Sequence, residues 1–119
     1  MEKTQIKYIE EKDIGKKLII SGWIQQYRIQ SNICFLCVND GSNVNGIQIV
    51  YNKQNNSLDN IDNIISELNN GCYIVVSGEL IKSPAKGQTF ELKLLEILVF
   101  PITGPKGLIF FIFICYYTI

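Results

Sequence analysis

The residues able to do chemistry in this chain are few, and the missing types narrow the field first. The 119 residues contain no histidine, which excludes a histidine general base, a Ser-His-Asp triad and histidine metal ligands. The four cysteines, Cys34, Cys37, Cys72 and Cys115, include one CxxC pair. A zinc or redox site needs both sulfurs to converge from a turn, but ICFLCV reads as a strand, where positions three apart point to opposite faces. The thiols are therefore expected to be buried or half-exposed side chains in a reducing compartment. What remains is a set suited to contact: Arg28, Phe35 and Gln48 within Gly22 to Val50, Lys82 and Lys86 in a later loop, and Glu91 beyond it. Taken singly, each is ordinary. An arginine near a strand end is usually a solvated charge, an exposed aromatic on a strand is common, and lysines beside Pro84 and Gly87 are by default soluble loop residues.

The elements that carry these side chains set how they can combine. Lysine plus arginine number 11, as do aspartate plus glutamate, so the net charge is zero and any polyanion must be held by a local surface rather than a bulk field. A hydrophobic content of 47% at this length supports one domain with its own core. Residues 1 to 17 are polar, with sparse Ile6, Ile9 and Ile14, and predict a lead-in arm with a helical turn; no apolar signal region is present. LIISGWIQQYRI from Leu18 predicts a long first strand that bends at Gly22, with Trp23 in the core. Ile33 to Val38 is the second strand, with Cys34, Leu36 and Val38 inward and Phe35 outward. Asp40-Gly41 and Asn45-Gly46 are turn signals, and Gly46 to Tyr51 is the third strand, with Ile47, Ile49 and Tyr51 inward and Gln48 outward.

Leu58, Ile61, Ile64, Ile65 and Leu68 recur at helical spacing, with Ser57 as N-cap, Asp59 and Asp62 in the first turns and Asn70-Gly71 as the stop. Such a stripe is a plug for the core. Cys72 to Ile81 is a fourth strand bending at Gly78, and Thr89 to Val99 a fifth, with Phe90, Leu92 and Leu94 inward and Glu91 and Lys93 outward. Five strands, a bent first strand and a helix between the third and fourth describe an all-β OB-fold Greek-key barrel over residues 18 to 99.

Residues 100 to 119 break the pattern. LIFFIFICYYTI is apolar without alternation and shorter than the roughly 20 residues of a membrane span. Its Ile, Phe and Tyr belong, with Asn and Lys, to the residues encoded by A/T-rich codons, and such a run is what read-through or truncation into non-coding sequence would produce; an extra strand or oligomer contact and a membrane anchor are the other readings.

GWIQQYRIQSNICFLCVNDGS followed by IQIV resembles the anticodon-binding OB-fold of class II aminoacyl-tRNA synthetases of the aspartate, asparagine and lysine group. VSGELIKSPAKGQTFELKLLEI is similar to asparaginyl-tRNA synthetases in particular. The resemblance spans about Leu18 to Leu98 and implies roles by position. Phe35 matches the aromatic on which the central anticodon uridine stacks, Gln48 the glutamine that bonds its edge, Arg28 an anticodon-contacting arginine, and Glu91 an acidic residue near an outer anticodon base. Lys82 and Lys86 lie in the loop that flanks the ligand face of this fold. The chain departs from the pattern at Gln25 and Gln26, where basic residues are common, and at Ile29, where aspartate is. The implied partner is the anticodon loop of tRNA(Asn), in the cytoplasm and without a membrane, and the implied parent is a homodimeric ligase. ATP and Mg belong to a catalytic domain that the residues after Leu98 cannot contain, so no cofactor and no activation of asparagine are expected of this chain. An aspartyl or lysyl relative and a free-standing single-strand-binding OB protein are the alternatives.

Overall fold

The structure is a computed structural model that describes residues 2–53, 61–84, 87, 89–103 and 109–113, with only the backbone path beyond Phe100. In chain order the strands are β1 (Lys17–Gln30), β2 (Ile33–Asn39), β3 (Ile47–Asn52), β4 (Tyr73–Lys82), β5 (Phe90–Thr103) and β6 (Ile109–Phe113), with α1 (Ile61–Ser66) between β3 and β4. The sheet runs β3-β2-β1-β4-β5-β6, and a parallel β3–β5 pairing closes the first five strands into a barrel. The expected OB-fold is what the chain forms.

Alternation explains the interior. Cys34, Leu36 and Val38 of β2 and Ile47, Ile49 and Tyr51 of β3 are all buried in one cluster with Ile20, Ile24, Ile74, Val76, Leu80 and Leu92. Helix α1 fills one end of the barrel with Ile61, Ile64 and Ile65, followed by Leu68, which realises the helical stripe. Leu58, Ser57 and Asp59 of that stripe lie outside the described residues. The Tyr27 hydroxyl donates to the Ile65 carbonyl at 2.9 Å and ties β1 to the helix. Burial, then the Asp62 carboxylate, push the Tyr51 hydroxyl up to about 12, so it stays protonated inside the barrel.

Strand β1 serves two neighbours, as its glycine foretold. It pairs with β4 over Lys17 to Trp23 and with β2 over Trp23 to Gln30. At the handover, a Cβ on Gly22 would stand 2.5 Å from the Asn39 carbonyl oxygen, so only glycine lets the two backbones approach this closely. An extra residue between Ile24 and Gln26 follows at once. This bulge corrects one expectation: Trp23 is not core but 53% exposed, its ring edge-on to Tyr73 with centroids 5.0 Å apart. Strict alternation backward from an outward Arg28 would have placed Trp23 inside; the bulge changes the parity between them. The β4–β5 ladder has two further register shifts, at Val75/Val76 and at Ser77/Gly78, the latter at the glycine expected to bend β4.

The N-terminal residues form two 3-10 turns, Ile6–Tyr8 and Glu11–Asp13. They are bound to the barrel, since Ile6 is buried in its core cluster and its amide donates to Asp40 Oδ2 at 2.9 Å. The Lys7 amide donates to Ser42 Oγ at 3.0 Å beside it. At the other end, β6 pairs antiparallel with Val99 to Thr103, so the backbone of Ile109–Phe113 takes the extra-strand form among the readings of the tail. Among the described residues, no helix is long and apolar enough to cross a membrane.

Candidate nucleic-acid interface

Register brings the candidate side chains onto one outward face. One row across the sheet runs Gln26, Cys37, Gln48, Glu91 and Ile81; the next runs Arg28, Phe35, Val50, Lys93 and Glu79. Adjacent strands lie about 4.8 Å apart, so neighbours in a row are within reach of one another. The strands are set by their inward apolar residues, which leaves the intervening positions free to be arginine, phenylalanine and glutamine.

Within the second row, the Arg28 guanidinium carbon stands 4.1 Å from the centroid of the Phe35 ring. A planar cation over an aromatic face is attracted by the ring quadrupole, and it occupies the kind of platform on which a base can stack. Arg28 also donates to Gln30 Oε1 at 2.9 Å. In the first row, Gln48 Nε2 donates to Glu91 Oε2 at 2.9 Å, and Ser83 Oγ donates to the same oxygen at 3.0 Å. Glu91 belongs to the outward face by register, as expected, and is only 6% exposed because neighbouring side chains cover it. The parallel seam between β3 and β5 brings Gln48 onto it across 43 positions of chain, which alternation alone cannot reveal, and the β4–β5 pairing brings Ser83 onto it across 8.

The two sulfurs of the CxxC separate as strand geometry requires. Cys34 is fully buried, and burial pushes its thiol up to about 11. Cys37 is half-buried on the outward face beside Gln48, its thiol also raised by burial. Alternation along β2 places Cys37 on the face of Phe35, as found, but neither Cys37 nor Ser83 is among the contact residues that the sequence suggests. Cys37 was legible from its parity with Phe35, whereas Ser83 carries no such signal.

A cleft of about 630 Å³ adjoins the first row, with Cys37 and Gln48 in its lining, Ile6 and Lys7 from the N-terminal turns on one side and Thr89 and Phe90 on the other. Lys82 is exposed at the end of β4, opposite Phe90. Lys86 lies outside the described residues. The arrangement offers an aromatic platform, a cation, an amide with unused hydrogen-bonding capacity and a cleft. These are groups suited to recognition by stacking, charge and hydrogen bonding.

Comparison with known proteins agrees with this reading. Residues 18–100 match the family model described as an OB-fold nucleic acid binding domain, the tRNA anti-codon family, and the chain belongs to that family. In sequence it is a homologue of asparagine–tRNA ligases: it is 42% identical to that of Shewanella baltica over 90 residues, 75% of this chain and 19% of the relative. The chain thus spans about a fifth of the length of the curated relatives it matches. In structure it is similar to the asparaginyl-tRNA synthetase of Pyrococcus horikoshii complexed with asparaginyl-adenylate, with a TM-score of 0.68 at 19% identity over 82% of this chain and 22% of that one. An OBody bound to hen egg-white lysozyme gives a TM-score of 0.72 at 18% identity, over 82% and 92% of the two chains.

Proposed function

We propose that this chain is the anticodon-recognition module of an asparaginyl-tRNA synthetase, cytoplasmic, with the anticodon loop of tRNA(Asn) as its partner. The observation that carries the reading is the placement of Phe35 and Gln48, diagonal neighbours on adjacent strands, on one outward face. Splayed single-stranded bases are held by aromatic stacking and read by amide side chains on their pairing edges. Phe35 stacks the central uridine, Gln48 bonds its edge, and Arg28 contacts the anticodon from its place over the ring. Lys82, at the end of β4, and Lys86, four positions later in the sequence, add phosphate attraction. The module contributes binding and positioning; ligation of asparagine to tRNA with ATP and Mg is the work of a homodimeric parent enzyme.

The test is affinity for anticodon stem-loops of asparagine, aspartate and lysine tRNAs at one stated ionic strength, because phosphate contacts are salt-sensitive. Tightest binding to the asparagine stem-loop is the expected outcome. Tightest binding to one of the other two would assign the module to that relative, and equal binding to all three and to an unrelated loop would make it a general single-strand binder.

A further inference from the structure

The glutamine of this face is not free to turn. Glu91 Oε2 accepts one hydrogen bond from Gln48 Nε2 at 2.9 Å and another from Ser83 Oγ at 3.0 Å, and Glu91 is buried. A carboxylate only accepts, whereas an amide has one end that donates and one that accepts. Rotating the Gln48 amide by half a turn would aim Oε1 at the carboxylate oxygen, exchanging an attraction for a repulsion between two acceptors in a partly desolvated site. Gln48 therefore keeps its nitrogen toward Glu91 and has Oε1 and the second Nε2 hydrogen left for a ligand. Its neighbour in the row, Cys37, offers only a thiol, a weak hydrogen-bonding group that cannot compete for the amide.

We infer that Glu91, with Ser83, is a positioning residue that fixes Gln48 as an acceptor beside a donor, so that the face selects keto bases over amino bases. Uridine presents a ring N–H beside a carbonyl, and guanosine does the same on its larger ring. Both complement the locked amide. Cytidine and adenosine present a ring nitrogen acceptor beside an amino group, and accepting either requires the half turn that Glu91 opposes. On this account Glu91 acts through Gln48 and touches no base, in contrast to the outer-base contact that the resemblance implied for it. The inference rests on the base-reading role proposed for Gln48.

Two measurements test it on the whole chain. The first needs no RNA: in the nitrogen-resolved NMR spectrum, the Gln48 side-chain amide proton facing Glu91 should be shifted from its free-carboxamide position and exchange slowly with solvent, and Glu91→Gln should return both properties toward those of a free amide. Glu91→Gln keeps the shape of the side chain, and circular dichroism checks that it folds. An unlocked Gln48 amide in the unsubstituted chain would overturn the inference. The second compares stem-loops with U or C at the central position and with changes at each flanking base. The chain should prefer central U by roughly tenfold, and Glu91→Gln should cut that preference to within about twofold while leaving flanking preferences unchanged. In the Gln48→Ala background, Glu91→Gln should have no further effect. A change in flanking preference with the central one intact, or additive effects in the double variant, would overturn the positioning role. Absence of any central preference in the unsubstituted chain would overturn base selection together with the recognition reading beneath it; a locked amide alone does not rescue either.

Discussion

Phe35 and Trp23 both stand outward on the same barrel, and their surroundings differ in kind. Phe35 carries a guanidinium 4.1 Å above its ring, and the row next to it holds an amide fixed by a buried carboxylate. Trp23 meets Tyr73 edge-on, and the next pairs along that face are Ser21 with Val75 and Ile19 with Ser77. Ile19 and Val75 are buried without belonging to the barrel's core cluster. The larger and more exposed aromatic thus sits beside apolar Ile19 and Val75, and its cross-strand amide, Asn39, is engaged by the Gly41 N–H and by the Asn43 and Val44 carbonyls. An exposed ring alone does not make a binding face; the face proposed to bind differs in joining its ring by register to a cation and a hydrogen-bonded amide.

The sharpest way to break this comparison is at the bend that separates the two faces. Gly22→Ala places a methyl group 2.5 Å from the Asn39 carbonyl, against backbone that cannot swing aside. A loss of more than about 2 kcal/mol in urea unfolding is expected, since this is backbone overpacking at a strand handover. Unchanged stability would mean that the two sheets do not approach there.

Phe35→Ala follows in size, with a cost of about 1 to 3 kcal/mol in stem-loop binding measured by fluorescence anisotropy, and an unchanged circular dichroism melt. Unfolding without a separate binding defect would put Phe35 in the core and slip the register by one. Trp23→Ala is the contrasting arm. It should lower stability by about 0.5 to 1.5 kcal/mol through loss of the Tyr73 pair and leave stem-loop affinity unaltered. A binding loss matching that of Phe35→Ala would erase the distinction between the faces.

The smallest effect concerns the clamp on the N-terminal turns that border the cleft. Burial raises the Asp40 carboxyl, but the Ser42 hydroxyl and the backbone amides of Ile6 and Ser42 outweigh it and hold the group below its ordinary 3.8. Because the folded value is the lower one, the stabilisation is fully present above 3.8 and is lost as the pH falls through the folded value. Asp40→Asn should therefore be less stable than the unsubstituted chain at neutral pH, with the gap closing in acid. A gap constant from neutral pH into acid, in denaturant titrations, would remove Asp40 from the clamp.

Much of the fold was legible because period-two burial is a local property. Cys34, Leu36, Val38, Ile47 and Ile49 announce both their strands and their inward face, and the separation of Cys34 from Cys37 follows from the same rule. Gly22 announced the bend. What alternation could not give was the position of Trp23, because one inserted residue between Ile24 and Gln26 reverses every parity beyond it. Nor could it give the burial of Glu91, whose covering groups arrive from β3 and from the loop after β4.

The sequence by itself determined the barrel, its plug and the outward placement of Phe35 and Gln48, because each follows from which neighbouring residues must leave water. Only the tertiary structure decided that Arg28 lies over Phe35, that Trp23 stands outside, and that Glu91 and Ser83 meet on the nitrogen side of Gln48. Those contacts depend on a bulge and on the parallel closure of β3 against β5, and closure joins residues whose separation along the chain carries no local signal.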